Sequence, residues 1–431
     1  MKTLIKKRQH TQNTQHTQHK KYNTKKQRKD VVNTYDNTYI LVNSYFPDKD
    51  MDTLNYSYLK TILKKYNLSS NHFIKDIIKN DYKILKAKHI TKSIDITSRN
   101  ITNINKYKHK IKPSLIFFNI NYVKLNIRYY GIPTLLSNYL SADKLHLINN
   151  KSNLYDNFIK YNKQLANKYL PYTFNINELD KYKFSSNDDN QQFYILKPVD
   201  SRQGIDILYI LSMKDVDAAI EYYNTHKNYR NIIYGNNVIA QEYITKPLLY
   251  NKKIDNSEDT VGYKCHFRVP FVVSYINKKV DSFILEDGIR ILTAKEPYNL
   301  NVPFQKEVHD THIKSSGGDF FLRKDYKNLN ITITQCNAII AEFIKISKIL
   351  ENILKQHTHI EWVYAECKNG FNIFGVDFMI EDNRQFKGGL DIKLIEVNNS
   401  PSFIFHNKSN NYKQSEILFK KLDKYIFSKV F

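Results

Sequence analysis

Two carboxylates and an amide interrupt a pair of apolar, strand-like segments near the C-terminus. The segment FGVDF carries Asp377, and the segment IKLIEVNNSPS carries Glu396 and Asn398. Because side chains alternate along a strand, Glu396 and Asn398 are expected on one face. Leu394 and Ile392 are expected on that same face. A buried carboxylate without a partner is costly, so these polar groups need partners there.

The two segments are expected to pair as an antiparallel hairpin, because about ten polar residues join two apolar strands. The expected register sets three pairs opposite one another: Asp382 with Asp391, Asp377 with Glu396, and Gly375 with Asn398. Facing carboxylates repel each other unless a positive group lies between them. Two carboxylates and an amide oxygen suit Mg²⁺ bound together with phosphates, and Gly375 leaves room for such a group. A hydrogen-bonded polar pair at a sheet edge is the alternative that the hairpin alone leaves open.

A loop between two further strands carries basic residues and a glycine. In YILKPVDSRQGIDILYI, one apolar strand ends at Lys197 and the next begins after Gly204. The loop is neither a P-loop nor a GxGxxG motif. Its backbone N–H groups, flanked by Lys197 and Arg202, could nevertheless bind phosphate. A solvated lysine at a strand end has the same sequence pattern.

The next buried strand ends in Gln241, Glu242, Tyr243 and Ile244, just before Pro247. An edge segment of this kind can hydrogen-bond an adenine through its backbone. A simple strand terminus has the same pattern, so this segment by itself predicts no ligand.

The elements that must position these residues follow from the hydrophobic periodicity. Strands are expected in TYILVNSYF, SLIFFNINYVKL, QFYILKP, IDILYIL, NVIAQEYI, HFRVPFVVSYI and SFILEDGIRIL. One helix is expected from a Ser152 cap to Pro171, and another in SMKDVDAAIEYYNTH. A long amphipathic helix is expected from Gln335 to Gln356, with an inner stripe of Ile339, Phe343, Ile346, Leu350 and Leu354. A last helix has Ile417, Leu418, Leu422 and Ile426 on its inner side.

Composition indicates a globular protein with an acidic partner. The 431 residues are 41% hydrophobic and include 33 tyrosines and 24 phenylalanines, which argues against a disordered chain. The net charge of +24 favours a nucleic acid, an anionic membrane or an acidic polypeptide as partner. Cys265, Cys336 and Cys367 form no CxxC pair, and the sequence has no apolar run of membrane-spanning length and no signal peptide. We therefore expect a soluble cytoplasmic protein.

Four regions are expected along the chain. Residues 1–30 carry ten Lys/Arg and almost nothing apolar, so they are expected to form a disordered basic arm. Residues 31–130 are expected to form a small α/β domain. Residues 131–246 and 247–431 are expected to form a central and a C-terminal domain, the latter containing the acidic hairpin.

The motifs occur in a recognisable order. The Lys–Gly loop is followed by Q-E-Y-I, a K-x-x-x-R strand, E-x-x-x-R, F-G-V-D-F and E-V-N. This order resembles the tubulin tyrosine ligase family of ATP-grasp enzymes, as do the segments NYLSADKL, TKPLL, EPY, VHDTH and KLIEVN. The resemblance covers roughly residues 115 to 431. It implies an α/β (α+β) ATP-grasp fold, with a nucleotide site between two mainly antiparallel sheet layers and a small N-terminal α/β domain.

The resemblance also implies roles for individual residues. The implied Mg²⁺ ligands are Asp377, Glu396 and Asn398. The implied catalytic residues are Lys197, Arg268 and Arg290. The implied ATP-binding residues are Lys151, Lys197, Arg202, Gly204, Gln241, Glu242, Tyr243, Ile244, Lys264, His266 and His312.

Two positions depart from the family pattern. His266 replaces the Asp that the family has between Lys264 and Arg268, and His312 replaces an Asn in the VHDTH segment. A rival frame starting at Lys253 preserves K-x-D but has no arginine after it. The spacing on to Arg290 favours the Lys264 frame.

The implied activity is that of an ATP-dependent carboxylate-amine ligase. It would join an amino acid to the C-terminal glutamate of α-tubulin through an acyl phosphate, and tyrosine is the first candidate for that amino acid. Its partners would be the acidic tubulin tail and a free amino acid, with no membrane, and with nucleic acid only through the basic arm. A monomer is expected. The alternatives are a tubulin polyglutamylase or glycylase and a catalytically inactive binding protein.

Overall fold

Strand-forming segments make the framework of the protein. The computed structural model describes residues 35–42, 111–118, 135–137, 140–181, 193–199, 206–210, 214–227, 232–235, 237–253, 258–300, 305–311, 320–360, 362, 369–386, 389–399, 417 and 420–430. These residues belong to a single unit, Tyr35–Phe431. The predicted basic arm, Arg202, Gly204 and His312 lie outside the described residues.

Within the described ranges the strands form a larger and a smaller sheet. The larger sheet contains β1 Tyr35–Val42, β2 Ile111–Phe118, β3 Leu135–Ser137, β8 Leu249–Lys253, β9 Thr260–Ile276, β10 Lys279–Ile284, β11 Arg290–Thr293, β12 Phe320–Phe321, β13 Gly370–Asn383 and β14 Gly389–Asn398. The smaller sheet contains β4 Thr173–Asn175, β5 Tyr194–Pro198, β6 Leu208–Ile210 and β7 Val238–Glu242. The helices are α1 Ala142–Asn149, α2 Lys151–Tyr161, α3 Lys163–Tyr169, α4 Lys214–Thr225, α5 Lys306–His309, α6 Leu322–Asp325, α7 Ile333–Gln356 and α8 Ser428–Val430.

The larger sheet has the order β1-β2-β3-β13-β9-β11-β12, with β14 paired to β13 and with β8 and β10 paired to β9. Strands β1, β2, β3 and β13 run parallel to their neighbours in that order. The remaining pairs are antiparallel. The two predicted N-terminal strands are therefore confirmed, and they extend the sheet that carries the acidic hairpin. The predicted divisions near residues 130 and 246 stay predictions.

Strand β9 separates the hydrophobic core from a polar face. Its odd-numbered residues from Cys265 to Val273 lie in the core. The even-numbered residues Lys264, His266 and Arg268 alternate with them, so they point to the opposite side of the sheet. This long strand fixes the spacing of three candidate site residues.

Helix α7 covers the core side of the larger sheet. Thr332 caps it through a capping box with Gln335, which satisfies otherwise unpaired backbone N–H groups at the helix start. The predicted inner stripe is confirmed, because all five of its apolar residues are buried. Phe343 stacks on Phe378 of β13 with ring centroids 4.4 Å apart. Burial of each such side chain contributes about 1.5–3 kcal/mol.

The smaller sheet is antiparallel and has the order β4-β7-β5-β6. Helix α4 packs on one side of it through Val216, Ala219 and Tyr223. Lys197 and Gln241 belong to the same sheet but line a cleft with Leu394 and Ile395 of the larger sheet. The cleft therefore lies between the two sheets, as the expected fold requires.

Two predicted elements are wrong in detail. The single helix after Ser152 is two helices, because Asn150 caps α2 and Asn162 interrupts the chain and caps α3 through its side chain. The single strand SFILEDGIRIL is also divided. A 3-10 turn at Glu286–Gly288 separates β10 from β11, and this turn lets both strands pair with β9.

Candidate active site

A bidentate ion pair joins two neighbouring strands at the centre of the polar face. Arg268 on β9 donates from Nε and Nη2 to the two carboxylate oxygens of Asp377 on β13, each at 2.8 Å. Both residues are buried, with exposures of 8% and 1%. Burial opposes the positive charge, but the adjacent Asp377 carboxylate and its hydrogen bonds outweigh that effect and raise the pKa of Arg268. Arg268 therefore remains charged beside the carboxylate.

A second arginine lies next to the first. The register of β11 on β9 sets Arg290 opposite Arg268. Two guanidinium groups on adjacent strands concentrate positive charge on this part of the face. Such a pair suits a ligand with several negative charges, because arginine binds carboxylate and phosphate oxygens through its planar N–H fork.

The acidic hairpin has the predicted register at the site but not at its turn. Asp377 pairs with Glu396 and Gly375 pairs with Asn398, as predicted. Asp391 pairs with Glu381 instead of Asp382. The cause is a bulge between Asp377 and Phe378, where Ile395 is the extra residue on β14.

The bulge also corrects the expected strand faces. Leu394 and Val397 both lie in the core, although three positions separate them, which a regular strand would not allow. Glu396 and Asn398 therefore do not share the face of Leu394 and Ile392, as the alternation predicted. They lie with Asp377 on the polar face.

Asn398 links the two carboxylates. Its Nδ2 donates to Asp377 Oδ2 at 3.0 Å and to Glu396 Oε1 at 2.9 Å. The three oxygen-bearing groups thus converge, with the amide between the acids. A half-turn of the amide would direct Oδ1 to the same position, where the three groups would present only oxygen ligands.

This donor set fits Mg²⁺, which prefers oxygen ligands and is usually bound by one or two carboxylates plus phosphates. Each carboxylate oxygen has a second lone pair, so the Arg268 pair does not exhaust Asp377. Across the described ranges, no three His, Cys, Asp or Glu side chains cluster as metal ligands. A third protein ligand would therefore be the Asn398 amide.

Lys197, on β5 of the smaller sheet, is close enough to these acids for Glu396 and Asp377 to act electrostatically on its ammonium group. Its Nζ donates to Gln241 Oε1 at 2.8 Å, and Gln241 Nε2 donates to Thr173 Oγ1 at 3.1 Å. Burial lowers the pKa of Lys197 to about 8, against an opposing effect of Glu396. The lysine therefore carries a positive charge near neutral pH and loses it within an accessible pH range.

A cleft lies between the two sheets. Its walls come from both sheets and α2: Lys151, Leu154, Tyr155, Leu170, Thr173, Lys197, Ile239, Gln241, Leu394 and Ile395. Lys151 Nζ donates to the carbonyl oxygens of Pro198 and Val199 at 3.4 and 3.3 Å. Apolar walls with two lysines suit a ligand with an apolar ring and an anionic part.

Lys264 lies in a buried polar chain. Its Nζ donates to the Tyr243 hydroxyl at 2.6 Å, and that hydroxyl lies 2.7 Å from His309 Nδ1. Burial lowers the pKa of Lys264 well below its ordinary value, with a further contribution from Lys197. Burial and nearby Lys264 also lower the pKa of His309 to about 4, so the imidazole is neutral near pH 7.

His266 lies close to the ion pair. Its Nδ1 is 2.5 Å from Thr311 Oγ1, and its Nε2 is 3.8 Å from Asp377 Oδ1. The side chain is nearly fully buried. The position that departs from the family pattern is thus packed into the polar face.

The predicted adenine segment is not at a sheet edge. Strand β7 lies between β4 and β5, and the N–H groups of Glu242 and Tyr243 donate to Tyr172 O and Phe193 O at 2.8 Å each. The interpretation as an edge strand is wrong, because short β4 covers the outer side of β7. Ile244 is buried just beyond the strand. The adenine role of the segment stays a prediction.

The structure brings most of the predicted residues to one place and adds others. Lys197 and Gln241 line the cleft, and Lys264, Arg268, Arg290, Asp377, Glu396 and Asn398 lie on adjacent strands of the polar face. The sequence assigns no site role to Thr173, His309, Thr311 or Ile395, which the structure brings to the cleft or to the polar face. His309 and Thr311 belong to the VHDTH segment, so the similarity of that segment to the family is the signal that points to them.

The family model described as "Tubulin-tyrosine ligase family" matches residues 137–426. The chain belongs to the tubulin-tyrosine ligase family. The match covers the smaller sheet, the strands of the larger sheet from β8 onward and every candidate residue, so it confirms the predicted resemblance.

A solved structure supports the fold of this family member. The C-terminal domain of K. lactis Pby1, described as an ATP-grasp enzyme interacting with the mRNA decapping enzyme Dcp2, aligns with a TM-score of 0.54 at 16% identity. The alignment covers 91% of this chain and 94% of that domain. The predicted ATP-grasp fold of the α/β (α+β) class is thereby confirmed. The comparison with curated proteins found no match.

The family and the fold are those of ATP-dependent ligases. None of the helices in the described ranges is long and apolar enough to span a bilayer.

Proposed function

We propose that this protein is an ATP-dependent ligase that joins an amino acid, with tyrosine as the first candidate, to the C-terminal glutamate of α-tubulin. The observation that carries the proposal is the convergence of Asp377, Glu396 and Asn398, with Lys197 of the smaller sheet close enough for both carboxylates to act on its charge. Oxygen ligands for a cation beside a cationic lysine suit a metal-bound polyphosphate. This arrangement supports Mg²⁺ and ATP as the ligands.

In this proposal Asp377, Glu396 and Asn398 would hold Mg²⁺, which would neutralise charge on the ATP phosphates. Lys197 would contact phosphate oxygens from the opposite side of the cleft, with Lys151 near the same strand end. Gln241 to Ile244 would hold the adenine. Lys264 and His266 are proposed to contact the rest of the nucleotide.

The chemistry would proceed in two steps. A carboxylate oxygen of the acceptor attacks the γ-phosphorus, the bond to the β-phosphate oxygen breaks, and ADP leaves. The amine of the incoming amino acid then attacks the acyl carbon, phosphate leaves, and the amine proton passes to solvent. Both steps gather negative charge, which Arg268 and Arg290 would stabilise from adjacent strands.

Charge favours an acidic acceptor. The chain carries +24, so an acidic polypeptide tail would be attracted over a distance of about 10 Å at moderate salt. This attraction would speed the encounter, and added salt should weaken it. The cytoplasm, where tubulin occurs, is the proposed location.

The metal and nucleotide assignment is tested with Glu396→Gln. We expect ADP formation in the presence of acceptor and amino acid to fall to background, because the amide removes a charge from the proposed Mg²⁺ ligands. Asp391→Asn is the matched control, since it makes the same change on an exposed residue of the same strand. An E396Q variant with the turnover of the wild type would refute the assignment.

The acceptor and amino acid are tested by incubating the protein with ATP, Mg²⁺, tubulin and labelled tyrosine, glutamate or glycine. We expect label from tyrosine on α-tubulin and none on tubulin from which the acidic tails have been removed. Label from glutamate or glycine would instead assign a polyglutamylase or glycylase. Binding of Mg²⁺-ATP without label from any of the three amino acids would favour a catalytically inactive binding protein. The observation that favours this alternative is His266, which replaces the Asp of the family pattern.

A further inference from the structure

Both carboxylate oxygens of Asp206 contact polar atoms of aromatic side chains. Its Oδ1 accepts a hydrogen bond from the Tyr222 hydroxyl at 3.2 Å and lies 3.3 Å from His226 Nε2. Its Oδ2 accepts one from the Tyr234 hydroxyl. The backbone carbonyl of Asp206 accepts another from the Tyr223 hydroxyl at 2.7 Å. We call Tyr222, Tyr223, His226 and Tyr234 the aromatic clamp.

The backbone of Asp206 also requires support. Its φ angle is +57°, in the left-handed region that non-glycine residues seldom adopt. Such conformations persist where the surrounding structure determines them, and they occur often at functional sites. The side chain of Asp206 is only 16% exposed, although it is a carboxylate. The clamp supplies the hydrogen bonds that make this placement possible.

The rings of the clamp pack against one another. The rings of Tyr222 and His226 stack with centroids 4.5 Å apart, and Tyr223 meets Tyr234 edge to face at 5.9 Å. Tyr223 is fully buried against the smaller sheet. Burial and the Asp206 carboxylate raise the pKa of Tyr222 to about 12, so its hydroxyl keeps the proton that it donates.

The clamp reaches the strand that carries Lys197. The Tyr223 hydroxyl lies 3.3 Å from Leu196 O on β5 as well as 2.7 Å from Asp206 O. The Tyr223 side chain therefore links Leu196, which directly precedes Lys197, to Asp206, which lies two residues before β6. The far end of β5 is held separately, because Val199 N donates to Asn237 O at 3.0 Å.

We infer that Asp206 is a positioning residue, which the aromatic clamp holds so that the end of β5 keeps Lys197 directed into the cleft when an anionic ligand binds there. The inference rests on the proposed function, because it takes the ligand to be a nucleoside triphosphate. Asp206 itself does not touch the ligand. Its effect passes through the Tyr223 hydroxyl and the backbone at Leu196.

Four variants of the full chain separate the side-chain role from a backbone role. Asp206→Ala removes both side-chain acceptor oxygens, and Asp206→Asn keeps one of them. Asp206→Gly removes the acceptors but relieves the left-handed backbone, since glycine tolerates positive φ. Asn224→Ala is the control, because Asn224 is an exposed residue of helix α4, which carries Tyr222 and Tyr223.

The measurements are the Kd for a non-hydrolysable ATP analogue with Mg²⁺, and the KM for ATP and kcat. We expect D206A and D206G to raise Kd and KM about tenfold, and D206N about threefold, because each lost hydrogen bond to a charged group weakens the support. We expect kcat to change less than about twofold, since the reacting groups stay in place. N224A should match the wild type.

Several outcomes would overturn the inference. D206A with the affinity of the wild type would show that the clamp does not position Lys197, and full recovery in D206G would reduce Asp206 to a backbone role. If D206A does not fold, the double variant Y222F/Y234F removes two donors and is expected to give the same rise in Kd. A wild-type protein that binds no Mg²⁺-ATP would overturn the proposed function as well, so the two failures are distinguishable.

Discussion

The Arg268–Asp377 pair predicts a large and specific loss of stability when one partner is removed. In Arg268→Met the aliphatic stem is kept while two charge-assisted hydrogen bonds of 2.8 Å are lost. Asp377, only 1% exposed, would then be a buried carboxylate without its counter-ion. Breaking a buried pair in this way costs about 3–5 kcal/mol. For a chain of 431 residues this corresponds to a fall in Tm of about 3 to 6 °C, from an unfolding entropy of about 2.1 cal/mol/K per residue.

Thermal unfolding of R268M can be compared with a matched pair on the same hairpin. Arg384 binds Asp382 with Nε and Nη2, but the side chains of this pair are 32% and 26% exposed. Arg384→Met should cost no more than about 1 kcal/mol, because water solvates the remaining carboxylate. Mg²⁺ should restore part of the stability of R268M but not of R384M, since only the former leaves a carboxylate in the proposed metal site. An equal fall in Tm for both variants would refute the reasoning.

Three further predictions follow from other parts of the structure. Burial lowers the pKa of Lys197 to about 8, so the affinity for a Mg²⁺-ATP analogue should weaken as the pH rises above about 8, whereas Lys197→Arg should keep a flat profile, measured by calorimetric titration. Burial lowers the pKa of His309 from 6.5 to about 4, so folding stability should be lost as the pH falls from about 6.5 towards 4. His309→Gln should make the acid-unfolding curve flatter in that range. An unchanged curve would show that His309 does not cause the loss of stability in acid. Thr332→Ala removes the capping box of α7 and should cost about 0.5–2 kcal/mol in denaturant unfolding, while Thr225→Ala near the end of α4 should cost less.

Local patterns were sufficient for the elements with strong periodicity. Helix α7 has its apolar residues at helical spacing over about five turns, and its burial matches that stripe. The pairing of Asp377 with Glu396 was also predictable, because two apolar strands with a short connection have few alternative registers. These features depend on residues that are close in sequence.

The parts that the sequence did not predict depend on distant pairing. The bulge at Ile395 has no signature of its own, since an apolar residue between Leu394 and Glu396 fits a regular strand equally well. The position of β7 inside its sheet depends on β4, which contributes only three residues from about 65 positions earlier. The partners of Gln241 and His266 are likewise hydroxyls far along the chain. Single-sequence periodicity has no access to such contacts.

The extra residue on β14 marks a place where this strand can change its length during evolution. Deleting Ile395 would restore regular alternation with Leu394 still in the core and Glu396 and Asn398 still on the polar face, because the bulge residue has no partner on β13. A deletion or insertion elsewhere in the strand would instead turn the residues on one side of it to the opposite face of the sheet. Length changes in the hairpin are therefore tolerable at Ile395 and near the turn at Arg384–Phe386, and the rest of this segment should diverge by substitution.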